Sequence, residues 1–355
     1  MQKVFDGHND LLLRLHRAPE RREEIFLTGE GPKESRGHLD LPRMQAGGFA
    51  GGLFAIYIPS PQVEGFDFMA AMEHPPFDLP LPDLIGAEAA IGPAMHQAGL
   101  FHWMARASGG AFRACRSVAE IEAAVTADAV AGVLHMEGAE AIGPDLDALH
   151  LLHAAGLRSL GPVWSRPTIF GHGVPFRFPG DPDTGPGLTP AGEALVRECN
   201  ALRVMLDMSH LNAAGFRDVM RLSDAPIVAT HSCVHAICPS TRNLTDWQLD
   251  AIAETDGMVG LNFATCFLRP DGRDGADMGW DVVMRHLDHL LARLGENRVG
   301  FGSDFDGATM PEGISDVAGL PRLVQACRDH GFGKELVEKL AFGNWMRVLR
   351  RTWGA

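Results

Sequence analysis

Short apolar runs recur along this chain with helix-spaced segments between them, and that alternation limits the fold more than any other property. The runs are Val4–Asp10, Phe49–Pro59, Val130–Gly138, Leu157–Trp164, Val204–His210, Pro226–Ser232, Met258–Thr265 and Val299–Gly307. Helical spacing appears at Val118–Ala127, Asp145–Ala155, Pro190–Leu202 and Trp280–Leu294, the third opening with Thr189 as N-cap and Pro190 at the first helical position. Strands alternating with helices make parallel βα units, and eight such units close into an α/β barrel of the (β/α)8, TIM type. An open doubly wound sheet is the competing arrangement. It would place a Gly-rich phosphate turn after its first strand, and Gly7-His8-Asn9-Asp10 is not one.

The chain has 355 residues, 46% of them hydrophobic, enough to bury one large core, and it reads as a single barrel domain over 1–355. A net charge of −14 with scattered arginines argues against a nucleic-acid partner. Six cysteines without C-x-x-C pairing fit free thiols in a reducing compartment. No run approaches the roughly 18 apolar residues of a membrane helix. No basic-then-apolar leader precedes the first strand, so the expectation is a cytoplasmic protein that does not engage a membrane. Two insertions, residues 59–95 after the second strand and 165–189 after the fourth, are rich in proline and glycine. Both follow strand C-termini, the face on which barrel enzymes build their sites, and read as lids or substrate walls.

The polar residues that end the apolar runs carry the chemistry. His8 and Asp10 close the first strand, Glu137 the third, His210 the fifth, His231 the sixth, and Asp304 and Asp306 the eighth. Residues i and i+2 share one side of a strand, so His8 and Asp10 project together, and a barrel gathers all these tips at one mouth. Three imidazoles with several carboxylates suit zinc or a similar divalent ion. Five ligands exceed the three that one catalytic zinc takes. Two ions roughly 3.5–4 Å apart, bridged by Glu137, use the set better. Periodicity does not choose between Asp304 and Asp306: one would move the proton, the other would brace the loop.

Position gives these residues their weight, because short motifs recur elsewhere. His38-Leu39-Asp40 repeats the His-x-Asp pattern, yet Asp40 reads as a helix N-cap before Leu41-Pro42 and His38 as loop. His286 and His289 lie on a helix whose buried stripe is Val283, Leu287, Leu290 and Leu294, and read as its solvated flank. His135 would point the same way as Glu137 but one layer deeper, as a core histidine outside the site. Arg242, in Pro239-Ser240-Thr241-Arg242-Asn243 after the sixth strand, is either a surface arginine or a bidentate anchor for a substrate carboxylate.

These motifs, in this order over nearly the whole chain, resemble the membrane (renal) dipeptidase family of zinc metallopeptidases within the amidohydrolase superfamily. The matching stretches are Asp6-Gly7-His8-Asn9-Asp10, His135-Met136-Glu137-Gly138, Asp207-Met208-Ser209-His210, His231-Ser232 with Ser240-Thr241-Arg242-Asn243, and Gly302-Ser303-Asp304-Phe305-Asp306-Gly307. The resemblance implies two zinc ions, one held by His8, Asp10 and Glu137, the other by Glu137, His210 and His231. It picks Asp304 as the proton shuttle and makes Arg242 the anchor for the terminal carboxylate. It also implies hydrolysis of dipeptides by a metal-bridging hydroxide, acceptance of a D-residue at the C-terminal position, and a homodimer.

The chain departs from that pattern at the end of the fourth strand, where mammalian members carry a histidine that contacts the reacting carbonyl. Trp164 stands there, and His172 in the following loop is the candidate substrate-binding replacement. The departure leaves open a second amidohydrolase reaction, removal of the acyl group from an N-acyl amino acid. A non-catalytic barrel would be expected to have lost ligands or the strand-eight carboxylate, and the sequence keeps them all.

Overall fold

The computed structural model describes residues 1–30, 37–61 and 67–354, so positions 62–66 of the first insertion lie outside the described residues. Eight parallel strands form its centre: β1 (Val4–Asn9), β2 (Phe49–Tyr57), β3 (Val130–Glu137), β4 (Leu157–Gly161), β5 (Met205–Leu206), β6 (Val228–Ser232), β7 (Met258–Leu261) and β8 (Val299–Phe301). Their order is β5-β4-β3-β2-β1-β8-β7-β6, and a parallel bridge between Asp207 and Val228 joins the two ends. The ring is closed, and the TIM-type barrel expected from the sequence is the fold. Residues of β1, β2 and β3 are buried throughout, which is why these strands read as continuous apolar runs.

Small residues let the barrel walls close in. A Cβ at Gly7, Gly260 or Gly302 would lie 2.4, 2.1 or 1.9 Å from the Thr230 carbonyl oxygen of β6. No side chain fits at these positions. Trp345, fully buried, packs against Phe5 and donates its indole N–H to the Phe301 carbonyl at 3.0 Å.

Helices alternate with the strands as the spacing predicts: α1 (Leu11–Arg17), α2 (Ala87–Ala107), α3 (Val118–Thr126), α4 (Asp147–Ala155), α5 (Pro190–Leu202), α6 (Ala213–Leu222), α7 (Asp246–Glu254), α8 (Trp280–Leu294) and α9 (Asn344–Trp353). Thr189 caps α5 by accepting the Gly192 N–H at 3.1 Å, and Asp40 caps the turn Leu41–Ala46 by accepting that of Arg43 at 2.8 Å. The α2 helix corrects the sequence reading, because residues 87–95 belong to it and not to an irregular insertion. Pro93 inside the helix concealed its continuity.

Residues 77–79 of the first insertion and 176–178 of the second meet above the mouth. Phe77–Asp78 pairs antiparallel with Arg177–Phe178, Phe77 opposite Phe178, and the Leu79 N–H donates to the Phe176 carbonyl at 2.9 Å. The second insertion also leans on the loop after β6, where the Gly180 N–H donates to the Pro239 carbonyl at 2.8 Å.

Strands β4, β5, β7 and β8 each stop at least three residues before their apolar runs do, and at β5 and β8 a carboxylate is involved. Asp207 takes the N–H groups of Ser209 (2.9 Å) and Thr230 (2.8 Å), and Asp6 takes that of Ser303 (2.6 Å). Side-chain carboxylates thus replace the carbonyls that would continue the ladder, and β5 and β8 turn out into loops. His210 and Asp304 therefore stand beyond their strands, with φ of 69° and 61°.

Candidate metal centre

Each ligand-type residue reaches the mouth through a specific backbone device. On the β1 side, the Asp10 N–H donates to the Phe305 carbonyl at 2.8 Å and the Asp304 N–H to the His8 carbonyl at 3.0 Å. The Ser303 hydroxyl donates to Asp6 at 2.8 Å, which fixes the β8 loop against β1. This stitching sets the Asp304 carboxylate beside the His8 imidazole and the Asp10 carboxylate. A Cβ at Gly307 would lie 2.2 Å from Asp10 Oδ2 and 2.5 Å from Asp304 Oδ1. Glycine there is what allows the two carboxylates to approach.

Glu137, at the end of β3, is the centre of the cluster. Its Oε1 lies 3.0 Å from His210 Nε2, 3.3 Å from His231 Nε2 and 3.7 Å from His8 Nε2. His8 Nε2 is also 3.3 Å from Asp10 Oδ2. All five residues are at most 5% exposed.

The proton positions follow from the outer edges of the rings. His210 Nδ1 sits 2.9 Å from Ser165 Oγ, and His231 Nδ1 sits 2.8 Å from Thr230 Oγ1. With both Nδ1 atoms protonated and donating, the two Nε2 atoms present bare lone pairs to each other at 3.2 Å and to the Glu137 carboxylate. Such an arrangement is repulsive unless a cation occupies the space it encloses. The donor set of imidazole nitrogen and carboxylate oxygen is that of a borderline divalent metal. The residues present fit a metal centre.

Electrostatics lead to the same conclusion. Burial alone would lower the His8 pKa, but Glu137, Asp10 and Asp304 around it prevail and raise it to about 10. A metal-free site that makes a buried imidazole hold its proton at neutral pH has an excess of negative charge. Burial pushes Glu137 and Asp304 above the usual carboxylate range and drives His210 and His231 well below the usual imidazole value. Divalent cations would relieve each of these strains.

The two aspartates of strand eight separate clearly. Asp304 faces His8 and Asp10, and its Oδ2 accepts the Asn262 amide at 2.9 Å. Asp306 instead takes both contacts of Arg14 Nη1 at 2.7 Å and the His38 N–H at 2.5 Å, while its own N–H donates to His38 Nδ1 at 2.9 Å. Asp306 braces the loop, and His38 helps it to do so.

Arg242 is 3% exposed and is no surface arginine. Its Nη1 donates to Ser232 Oγ at 2.9 Å and its Nη2 to the His231 carbonyl at 2.7 Å, which aims the guanidinium along the rim beside His231. Its Nε, buried, has no hydrogen-bond partner among the described residues. The Trp164 ring lies 5.8 Å from that of His210 and packs on Tyr57 (5.3 Å) and Phe176 (5.5 Å), forming an aromatic wall next to the cluster. His172 is partly buried, with Nδ1 3.4 Å from the Gly187 carbonyl of its own insertion.

Two features escaped the sequence reading. Arg166, fully buried, donates to Glu140 Oε1 (2.7 Å), Ser60 Oγ (2.6 Å) and the Ile58 carbonyl (2.5 Å), tying together the loops after β2, β3 and β4. His286 is fully buried and not a solvated flank. Its Nδ1 accepts the Val234 N–H at 3.1 Å and its Nε2 donates to the Leu268 carbonyl at 2.9 Å, completing backbone that the α8 stripe alone would leave unpaired. All six cysteines are free and buried, as expected.

A model of the membrane dipeptidase family (peptidase family M19) matches residues 1–353. A metallo peptidase from Rhodobacter sphaeroides, solved with a phosphinate mimic of the dipeptide L-Ala-D-Ala, is 64% identical, with 99% of each chain covered and a TM-score of 0.96. A Klebsiella pneumoniae protein described as an uncharacterized protein in the pqqA 5′ region is 46% identical over 246 residues, 69% of this chain and 91% of that protein. The probable dipeptidase PvdM from Pseudomonas aeruginosa, 20% identical, covers 99% of this chain and 95% of its own with a TM-score of 0.80, a likeness of fold.

Proposed function

The chain belongs to the membrane dipeptidase family, and we propose that it is a zinc-dependent dipeptidase for L,L- and L,D-dipeptides with a free C-terminal carboxylate. The observation that carries this reading is the convergence of His8, His210 and His231 on one oxygen of Glu137, at 3.7, 3.0 and 3.3 Å. In this reading His8, Asp10 and Glu137 hold one ion, and Glu137, His210 and His231 the other. When bound, such ions supply Lewis acidity that activates water and polarises a carbonyl at neutral pH.

The chain's own residues do the rest. Arg242, rigidly held by Ser232 and the His231 carbonyl, would anchor the substrate carboxylate and so fix which peptide bond reaches the cluster. Asp304, its Oδ2 steadied by Asn262, would take the proton from the attacking water and deliver it to the leaving amine. Trp164, Tyr57 and Phe176 would wall the scissile bond against bulk water, and His172 would approach the substrate from the second insertion. The L-Ala-D-Ala mimic bound by the Rhodobacter sphaeroides peptidase supports a short substrate with a D-residue at its C-terminus. No helix among the described residues is long and apolar enough to cross a membrane.

Purified protein, stripped and reloaded with zinc, should hydrolyse L-Ala-L-Ala and L-Ala-D-Ala and leave their N-acetylated forms intact. Turnover of the N-acetylated forms alone would mark a deacylase, and no turnover of any of them would overturn the reading. Arg242→Gln should raise KM roughly 10- to 100-fold, the worth of a charge-assisted hydrogen bond.

A further inference from the structure

Beneath the metal cluster lies a carboxylate that the reaction does not use. Asp207 is 1% exposed, and its Oδ1 accepts the N–H groups of Ser209 and Thr230. Its Oδ2 accepts the Thr230 hydroxyl at 2.5 Å, and that same hydroxyl oxygen lies 2.8 Å from His231 Nδ1. Direct contact between Asp207 and His231 Nδ1 is too long, at 3.9 Å, to be a hydrogen bond.

We propose that Thr230 and Asp207 are positioning residues that lock His231 in the tautomer protonated on Nδ1 and so reserve Nε2 for the metal. The directions allow one assignment. Ionised Asp207 can only accept, so the Thr230 hydroxyl must donate to it, and the oxygen is then left to accept from His231 Nδ1–H. The lone pair of His231 falls on Nε2, which faces Glu137. The threonine hydroxyl thereby extends the familiar carboxylate–histidine–metal support by one link.

Asp207 also belongs to a group with His8 and His135 whose ligand atoms lie within 4.8 Å of one another, an alternative site for a third ion. The acceptor census argues against that use. Three donors already occupy Asp207, and its nearest approach to His135 Nε2 is 3.6 Å. The carboxylate supports the ligand above it.

The inference rests on the metal-binding reading above but not on the choice of substrate, and its test is read with zinc alone. Zinc stoichiometry and affinity are measured by competition with a chelator, and the tautomer of His231 by nitrogen-15 spectroscopy of the metal-free protein. Thr230→Val should weaken the second zinc roughly 10- to 100-fold, and Thr230→Ser should restore it. Asp207→Asn should be at least as damaging, because its amide would donate to the Thr230 oxygen and reverse the chain, moving the His231 proton to Nε2. A purely structural role would lower stability without moving that proton. Zinc affinity within about twofold of wild type in both Thr230→Val and Asp207→Asn would overturn the proposal, as would three zinc ions in the wild type with one lost in Asp207→Asn. If Asp207→Asn fails to fold, the Thr230→Val and Thr230→Ser pair decides.

Discussion

Replacing Arg166 by methionine tests how strongly the loops over the barrel mouth depend on one buried ion pair. Methionine keeps much of the apolar stem but removes the guanidinium that lies over the Tyr57 and Trp164 rings, and it takes the Arg166 donor from the Glu140 carboxylate, the Ile58 carbonyl and the Ser60 hydroxyl, of which only the last keeps another partner, the Tyr57 hydroxyl. A charge left unpaired at 3% exposure escapes by taking up a proton, and that sets a ceiling on its cost. Relative to an unfolded carboxyl at 4.5, protonation at pH 7 costs at most about 3.4 kcal/mol, at about 1.36 kcal/mol per pH unit. The two neutral acceptors add about 1 kcal/mol each. The variant should therefore lose up to about 5 kcal/mol at pH 7.

The sign of the pH dependence is fixed by the same argument. In Arg166→Met the folded state holds the Glu140 proton while the unfolded state has lost it, so stability falls as pH rises from about 4.5 to 7. The penalty should shrink to about 2 kcal/mol near pH 4.5, and the double variant with Glu140→Gln should show that smaller cost at every pH. Urea unfolding of metal-free protein at several pH values is the assay. A cost below about 1 kcal/mol at pH 7, or one that does not change with pH, would refute the reasoning.

Three further outcomes are expected. Burial holds His286 at about 4 against 6.5 in the unfolded chain, so its contribution, present above pH 6.5, is lost as pH falls toward 4; about 3.4 kcal/mol of acid destabilisation should disappear in His286→Gln, measured by the pH dependence of urea midpoints. Gly307→Ala would press a methyl group between Asp10 and Asp304 and should weaken zinc binding at least tenfold by chelator competition, unchanged affinity counting against the packing argument. Removing zinc with a chelator should lower the unfolding temperature, since a ligand at about 1,000 times its Kd stabilises by about 4 kcal/mol; a temperature unchanged on removal would contradict a metal site that forms with the fold.

What could be read from the sequence was what repeats or what ends a strand. The βα alternation gives the barrel because parallel strands buried on both faces leave continuous apolar runs, and a ligand-type residue such as Glu137 stands out as the polar end of one. Asp306 could not be told from Asp304 by periodicity, because both share one side; the difference lies in Arg14 and His38, distant in sequence. Arg166 and His286 were missed for the same reason. Each is defined by backbone groups it completes on other elements, and nothing in the adjacent residues signals that. His210 stands near Glu137 but beyond its strand and not on it, since the carboxylate of Asp207 takes the N–H groups that would continue the ladder.

The antiparallel ribbon between Phe77–Asp78 and Arg177–Phe178 bears on how this enzyme could be re-engineered. Specificity loops on barrels are commonly exchanged one at a time, on the premise that each βα connection is an independent cassette. Here the two connections hydrogen-bond to each other, and the second also grips the segment that presents Arg242. A graft that transplants one insertion would leave an unpaired strand edge in the other and a loosened Arg242 segment. The transferable unit at this mouth is a pair of segments about a hundred residues apart, moved together.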